Sequence, residues 1–374
     1  MPWSILIVKL MTLGDCIVTT PVIRAIRQQY PEAELTLLTS EPYRDVFAGS
    51  PHLDHLLTCP PITGKWAKGF GLHAYDAITT QELTRKHYDQ LIPLNTLTFW
   101  GEYRRTGVSL ADHYADMAGV YPLEDPKYEV ICDPIAEQRR LANLFPVLAR
   151  ALDQDFPIVL IHKGGGWGLK VLPDHQWLPV IRALAHEDRL PRETQIVCVG
   201  GKDDVLASPL LDDVRLITDR LVDVAGLLSL KTLYYLMTRA TLFIGADSGP
   251  MHLASAADCP SVVYYAVTSQ FVGAPQSSQF VTIQSPASCP APCGLVQCQT
   301  HELCARLIDP DHLIAGIDHT LQHREPYQTH WIGDQPSYHY FHAWEHISLP
   351  IPRPDLEGWI KQRPMLADRW HVAT

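Results

Sequence analysis

Ile5-Leu-Ile-Val-Lys-Leu10 is an almost continuous apolar run, the pattern of a parallel strand buried on both faces. Thr12-Leu13-Gly14-Asp15 follows as a loop at the carboxyl end of that strand. A helical segment then runs from about Cys16 to Gln29, stopped near Pro31, and Glu34 to Thr39 is a second strand. This opening is a β-α-β unit, and its first loop lies where open α/β sheets bind ligands. Weaker alternation continues through Ala77 to Thr80 and Asp89 to Leu94, and the spacing predicts a helix over Leu110 to Ala118. Cys59 to Leu72, rich in Pro, Gly and Lys, reads as a surface loop. Leu141 to Leu152 predicts a further helix and Gln154-Asp-Phe-Pro157 a linker.

At Ile158 the pattern restarts. Strand Ile158 to His162 leads into the glycine loop Lys163-Gly-Gly-Gly-Trp167, helix Asp174 to Ala185, strand Gln195 to Val199 and loop Gly200-Gly-Lys-Asp-Asp204. Strand Val214 to Ile217, helix Ser229 to Arg239 and strand Thr241 to Ile244 follow. Gly245-Ala-Asp-Ser-Gly-Pro-Met-His252 then opens another helix ahead of strand Ser261 to Tyr265. The economical reading is α/β, with two doubly wound, Rossmann-like domains over residues 1–153 and 154–324. Residues 325–374 change character, with many His, Trp, Tyr and Pro and little periodicity, and are expected to form an irregular arm.

Composition narrows the ligands. At 374 residues the chain is long enough for two domains and an appendage, and 46% hydrophobic with 19% charged residues is the balance of a globular protein. Thirty basic against forty-one acidic side chains leave a net charge of −11, so no general basic field exists to hold nucleic acid or an anionic membrane face. An anionic ligand must therefore be held by local devices. The apolar stretches are strand-sized and no membrane-spanning helix is expected. The N-terminus carries no basic leader or small-residue cleavage site, so a cytoplasmic location is expected.

The most informative segment is Asp247-Ser-Gly-Pro-Met-His252, directly after a strand and opening a helix. Pro250 suits a first helical turn, where its missing N–H would have had no intrahelical partner. The free N–H groups and positive dipole end of such a turn attract phosphate oxygens, with Ser248 and His252 as extra donors. The plain alternative is an N-cap made by Asp247 or Ser248. Lys163 to Lys170 supplies a glycine-rich turn in which Gly164 and Gly165 let backbone amides approach a phosphate, and a lysine can offset the charge on a departing nucleotide diphosphate. The alternative there is a flexible loop with solvated lysines. Asp203 and Asp204 could accept hydrogen bonds from ribose hydroxyls, or simply form a turn. In the first lobe Asp15 faces the expected cleft, where a carboxylate can take the proton of an acceptor hydroxyl attacking an anomeric carbon. Taken alone, an Asp at that place is a helix N-cap.

Together these residues resemble glycosyltransferase family 9, the lipopolysaccharide heptosyltransferases, from Ile5 to about Ile317. The likeness is carried by Ile5-Leu-Ile-Val-Lys-Leu with Leu13-Gly14-Asp15 and Thr20-Pro21, and by Lys170 before Pro173 and Trp177. It continues in Val199-Gly-Gly201, Ala225-Gly-Leu-Leu-Ser-Leu230 and Gly245-Ala-Asp-Ser-Gly-Pro-Met-His-Leu-Ala254. The resemblance implies a GT-B fold and an inverting, metal-independent transfer from an ADP-activated heptose bound mainly by the C-terminal lobe. By position, Asp15 looks like the family's catalytic base, with Leu13 and Gly14 on the acceptor side. Lys170 looks like its phosphate lysine and Asp247 its sugar-binding carboxylate, with Ser248, Gly249, Met251 and His252 as its diphosphate cradle. Leu228 and Asp203 or Asp204 fall on the donor side. The loop Lys163-Gly-Gly-Gly-Trp-Gly168 and the tail after Arg324 depart from the family pattern.

Cys289, Cys293, Cys298 and Cys304 crowd into sixteen residues, and the family carries a similar cluster near that place. Close thiols in a cytoplasmic protein suggest structural Zn or Fe ligation before a disulfide. Free or reversibly paired thiols are the other reading, because the spacing is not that of a zinc ribbon. No cofactor is expected for transfer itself. The expected partners are a nucleotide-sugar donor, ADP-heptose by default, and a glycan, lipid-linked or other hydroxyl acceptor. An oligomer and a peripheral place at the inner membrane stay open. The rival readings are a GT-B nucleotide-sugar epimerase or hydrolase, and a non-catalytic assembly partner with a vestigial cleft. A nicotinamide dehydrogenase is disfavoured, because no GxGxxG follows the first strand.

Overall fold

The computed structural model describes residues 2–61, 71–94, 109–164, 168–186, 188–204, 213–215, 217–268, 273–285 and 303–322, of which 71–77, 203 and 303 in backbone only, and the backbone of 328–332 and 335–339. The first lobe is built from β1 (Ser4–Val8), α1 (Leu13–Val18), α2 (Thr20–Gln29), β2 (Glu34–Ser40), α3 (Arg44–Phe47), β3 (His55–Cys59), α4 (Gly71–Arg85), β4 (Gln90–Pro93) and α5 (Leu110–Ala118). Its four strands lie in the order β3-β2-β1-β4, every pairing parallel, with Ile7 of β1 opposite both Leu37 and Ile92. Ile5 to Val8 are wholly buried, which is why this strand reads as an unbroken apolar run and not as an alternation.

Two helices, α6 (Pro134–Leu144) and α7 (Pro146–Asp153), lead into the second lobe. There follow β5 (Ile158–His162), α8 (Asp174–Ala185), β6 (Gln195–Cys198), β7 (Leu221–Asp223), α9 (Leu230–Arg239), β8 (Leu242–Ala246), α10 (Gly249–Ala256), β9 (Ser261–Tyr265) and β10 (Phe280–Gln284). Short α11 (Leu303–Arg306) and α12 (Pro310–Gln322) complete it. The six strands form a parallel sheet in the order β10-β9-β8-β5-β6-β7. α12 seats on this sheet through Gly316, where a Cβ would come within 3.2 Å of both Val262 and Val281. α6 lies against α9: Thr232 Oγ1 donates to the buried Glu137 carboxylate at 2.7 Å. After α12, β11 (Gln328–Ile332) lies beside β10 and pairs with β12 (Gln335–His339) as an antiparallel ladder, so the arm expected to be irregular includes a hairpin. No helix among the described residues is long and apolar enough to cross a membrane.

Local chemistry accounts for most boundaries. Ser109 Oγ accepts from Asp112 N at 3.1 Å to start α5, which ends at Gly119 in the left-handed conformation, φ 72°. Asp133 Oδ1 accepts from Ile135 N and Ala136 N at 3.0 and 3.2 Å to start α6, with Pro134 in its first turn. Ser229 caps α9 in the same way through Thr232 N.

Where the structure departs from the sequence pattern, backbone chemistry is usually the reason. The helix expected from Cys16 to Gln29 is two helices broken at Thr19, because the Thr19 and Thr20 hydroxyls donate to the carbonyls of Cys16 and Ile17 and Pro21 has no N–H to continue the ladder. Gly14 and Asp15 belong to the first turn of α1 and not to a loop. Likewise Leu141 to Leu152 divides at Phe145, ahead of Pro146. Ala77 to Thr80 lies inside a helix. Residues 213–215 and 217 are helical, and the strand of that region is β7. β3 and β10 have no counterpart in the sequence reading, and residues 62–70 of the expected surface loop lie outside the described residues.

One apolar cluster runs from Ile5 and Ile7 through Ile17 to Leu160, Phe243 and Met251, joining the two lobes. Its closest seam is between α1 and α10, where a Cβ on Gly249 would sit 2.8 Å from Leu13 Cβ. Gly249→Ala is therefore expected to wedge this seam open and to cost about 1–3 kcal/mol by overpacking. Urea unfolding would check it, and an unchanged midpoint would show that the helices yield freely.

Candidate active site

Both sheets reverse their winding order at a pair of central strands. In the first sheet the reversal falls between β1 and β4, and in the second between β5 and β8. A crevice opens beyond the carboxyl ends of strands at such points, which is where doubly wound folds hold ligands. The residues there are Lys9 and Leu94 in the first lobe, and His162, Asp247 and Ser248 in the second. The two crevices face each other through α1 and α10. A Cβ on Gly14 would meet the His252 ring at 2.7 Å, so glycine is what allows the two helix starts to touch.

On the second-lobe side, Lys170 Nζ donates to Asp247 Oδ2 and to the Asp247 carbonyl, both at 2.8 Å. The two side chains are 15% and 12% exposed. Burial pushes the Asp247 carboxyl up, but Lys170 and His252 together outweigh it and hold the group below the ordinary carboxylate range. His252 is 5% exposed, with its Nε2 3.9 Å from Asp247 Oδ1 and its Nδ1 buried without a hydrogen-bond partner. Burial lowers its proton affinity, which Asp247 and Asp15 only partly restore. Tyr128 stands edge-on to it, ring centroids 5.9 Å apart. Ser248 occupies the N-cap position of α10 but makes no side-chain cap, so the plain N-cap alternative is not what forms here. Its hydroxyl lies 3.1 Å from His162 Nδ1 and 3.1 Å from the Ala246 carbonyl. His162 in turn meets Asp204 Oδ2 through Nε2 at 3.2 Å.

The two glycine loops serve this chain of contacts. A Cβ on Gly164 would fall 1.6 Å from Asp204 Oδ1, and one on Gly200, at φ +144°, would fall 2.6 Å from Asp204 Cβ. Gly201 N donates to Asp204 Oδ2 at 2.7 Å. His162, Gly201 and Lys163 overcome the effect of burial and keep Asp204 below its ordinary value. Lys163 itself pairs with Asp174 at 2.9 Å, at the start of α8, and not with any group in the crevice.

On the first-lobe side, Asp15 is 13% exposed with its Oδ2 3.7 Å from the ammonium of Lys9. Lys9 is 2% exposed and donates to the Leu94 carbonyl at 3.1 Å and the Tyr114 hydroxyl at 2.7 Å, standing 4.3 Å over the Tyr114 ring. Burial lowers its proton affinity, and Asp15 opposes that. The neighbouring Cys16 thiol is pushed up to about 12 by burial, which makes it an inert packing group.

The structure thus brings together Leu13, Gly14, Asp15, Lys170, Asp247, Ser248, Gly249 and His252, with Gly164 and Asp204 one layer behind. Met251 does not join them by its side chain, which is wholly buried in the apolar core. Leu228 packs against that core in the loop before α9. Gly165, the Asp203 side chain, Cys289, Cys293 and Cys298 lie outside the described residues. Cys304 is buried at the start of α11, its carbonyl accepting from Ser285 Oγ at 2.6 Å. Sequence reasoning missed Lys9, Tyr114, Tyr128 and His162. The signal for Lys9 and His162 was present: each is a polar residue at the carboxyl end of an otherwise apolar strand.

The family model for glycosyltransferase family 9 (heptosyltransferase) matches residues 110–303. Among solved structures the chain is similar to a glycosyltransferase family 9 protein from Veillonella parvula, at 17% identity and TM-score 0.65 over 86% of this chain and 97% of that one. It is also similar to the ADP-heptose lipopolysaccharide heptosyltransferase II of E. coli, at 17% identity and TM-score 0.60 over 85% and 98%. A third likeness is to TibC, an iron-containing dodecameric glycosyltransferase of enterotoxigenic E. coli, at 17% identity and TM-score 0.55 over 86% and 76%. At these identities the structures speak for the fold, two facing Rossmann-like units of the GT-B type. No curated protein sequence matches the chain.

Lys170→Met would strand the Asp247 carboxylate in a mostly dry place, and a stability loss of about 3–5 kcal/mol is expected from breaking such a pair on one side. The double variant Lys170→Met/Asp247→Asn is expected to recover part of that loss. Equal urea midpoints for the single and double variants would show that the two groups are not coupled.

Proposed function

The chain belongs to glycosyltransferase family 9, and we propose that it transfers a heptose from ADP-heptose to an acceptor hydroxyl by a single inverting displacement that needs no metal. The observation that carries this reading is the meeting of the two helix starts. Asp15 stands on one side of the seam, and the Asp247 to His252 turn with Lys170 stands on the other.

In the proposed reaction the acceptor oxygen attacks the anomeric carbon from the face opposite the leaving group, while Asp15 removes the hydroxyl proton. The bond from that carbon to the β-phosphate oxygen breaks and ADP leaves with the electron pair. The charge gathering on the diphosphate is met by Lys170 and by the positive end of α10, with Ser248 and the orphaned His252 nitrogen as hydrogen-bonding groups. Asp247, oriented by Lys170, is placed to accept from hydroxyls of the sugar. Lys9, its ammonium 3.7 Å from Oδ2, holds the Asp15 carboxylate in place. The acceptor is proposed to be a sugar of a growing surface glycan, lipopolysaccharide core by default, met on the cytoplasmic side. In the same spirit the cysteine cluster is assigned a structural Zn or Fe, since four thiols are a donor set suited to either and TibC is iron-containing. No step of the transfer passes through it.

ADP-heptose is expected to raise the unfolding temperature of the wild type and of Asp15→Asn alike, because a ligand that binds only the folded state stabilises it by mass action. Transfer to an acceptor should fall by at least about 100-fold in that variant, the order of effect expected for loss of a general base. Unchanged transfer would remove Asp15 from the mechanism, and consumption of ADP-heptose without acceptor would favour a hydrolase. Elemental analysis of the purified protein is expected to find Zn or Fe near one equivalent, lost in Cys293→Ser. Metal-free wild type would leave the thiols without that role.

A further inference from the structure

Asp204, His162 and Ser248 form a continuous hydrogen-bonded chain leading from behind the second sheet's carboxyl edge to the start of α10, with steps of 3.2 and 3.1 Å. His162 is 1% exposed. The chain is built in from both sides, since Gly164 and Gly200 are the residues that leave room for Asp204 and Gly201 N fixes its Oδ2. Such a buttressed carboxylate dictates the imidazole tautomer: Nε2–H donates to Asp204, and the Nδ1 lone pair faces Ser248.

The consequence falls on the Ser248 hydroxyl, which has one proton and two acceptors within the protein, His162 Nδ1 and the Ala246 carbonyl. Towards the crevice it then presents only lone pairs, which repel the oxygens of a diphosphate. A proton added to His162 Nδ1 reverses this. The imidazolium donates to Ser248 Oγ, and the hydroxyl proton, no longer claimed by Nδ1, turns from the neutral Ala246 carbonyl to the stronger acceptor, a charged phosphate oxygen.

Resting on the donor reading above, we propose that His162 is a positioning residue that takes up a proton when the nucleoside diphosphate sugar binds, turning Ser248 into a donor towards the diphosphate. Two negative groups, Asp204 behind and the diphosphate in front, favour that imidazolium. The titratable groups about this relay are Asp204 and Cys198 from β6 and the turn after it, Lys163 next in the chain, Tyr264 of β9, and Lys170, Asp247 and His252 around the crevice. Lys170 and Lys163 are committed to Asp247 and Asp174. His252, the other imidazole of the crevice, is separated from His162 by the test.

Binding of ADP-heptose is measured by calorimetry near pH 8 in buffers of different ionisation enthalpy, and its Kd is followed as pH rises through the alkaline range. The pyrophosphate diester of this donor does not itself titrate there. The wild type is expected to take up close to one proton per site, with affinity falling by up to about tenfold per pH unit. His162→Gln retains an amide donor towards Asp204 but cannot titrate, and is expected to bind more weakly with an affinity indifferent to pH. Proton uptake surviving in His162→Gln would assign it to another group and overturn the relay. So would pH-independent binding by the wild type, a measurement that needs no variant to fold. Failure of ADP-heptose to bind at any pH would sink the donor reading and this inference with it, whereas binding without a proton sinks the relay alone.

Discussion

The structure depends on the approach of two helix starts, α1 from the first lobe and α10 from the second. Each helix leaves the carboxyl edge of a parallel sheet, so each delivers its first turn to the gap between the lobes. Contact at side-chain distance would hold the functional groups too far apart for one small substrate to reach both. Glycine at 14 and 249 removes that spacing, with Gly14 against the His252 ring and Gly249 against Leu13. The continuity of the apolar cluster from Ile5 to Met251 follows from this contact, as does the electrostatic reach of Asp15 to His252.

Bringing the lobes so close dries the gap, and the charges in it have to be managed before any ligand arrives. They come as pairs of one cation and one carboxylate: Lys9 with Asp15, Lys170 with Asp247. Pairing avoids the penalty of an isolated buried ion. It also means that an incoming diphosphate does not meet a free lysine but competes for one already engaged. A surface with net charge −11 offers no long-range attraction for that ligand. On the proposed donor reading its capture would rest on short-range groups, the positive end of α10 with Ser248 and His252 beside it.

Much of this was readable from the residues. Strands β1, β5, β8 and β9 are buried on both faces, and an unbroken apolar run shows that directly. The turn from Asp247 to His252 and the acid at Asp15 could be placed because both sit at strand-to-helix junctions. Edge strands were harder: β7 has three half-buried residues and β3 buries only its last, Cys59, so neither leaves a period to read. Helix breaks at Thr19 and Phe145 were missed because apolar spacing persists across them while the hydrogen-bond ladder does not. The two glycine loops were legible as places of close approach, but not what approaches. The sequence suggested a phosphate at the first loop and ribose hydroxyls at the second; what the structure adds is that Gly164 and Gly200 both make room for the side chain of Asp204.

A more transferable signal lies in the strands themselves. A parallel strand at a sheet's centre has no solvent-facing position, so a polar residue at its carboxyl end is retained only where a partner satisfies it. Three such ends occur at the reversal points of the two sheets: Lys9 after β1, His162 closing β5, and Asp247 after β8, at 2%, 1% and 8% exposure. Each partner comes from a different element, Tyr114 and Asp15 for Lys9, Asp204 and Ser248 for His162, Lys170 for Asp247. A sheet interior offers apolar neighbours to any residue, but only the crevice beyond the strand ends offers polar partners converging from several loops. Buried polar strand ends therefore report the place where the loops converge, and they do so without any glycine motif to mark it.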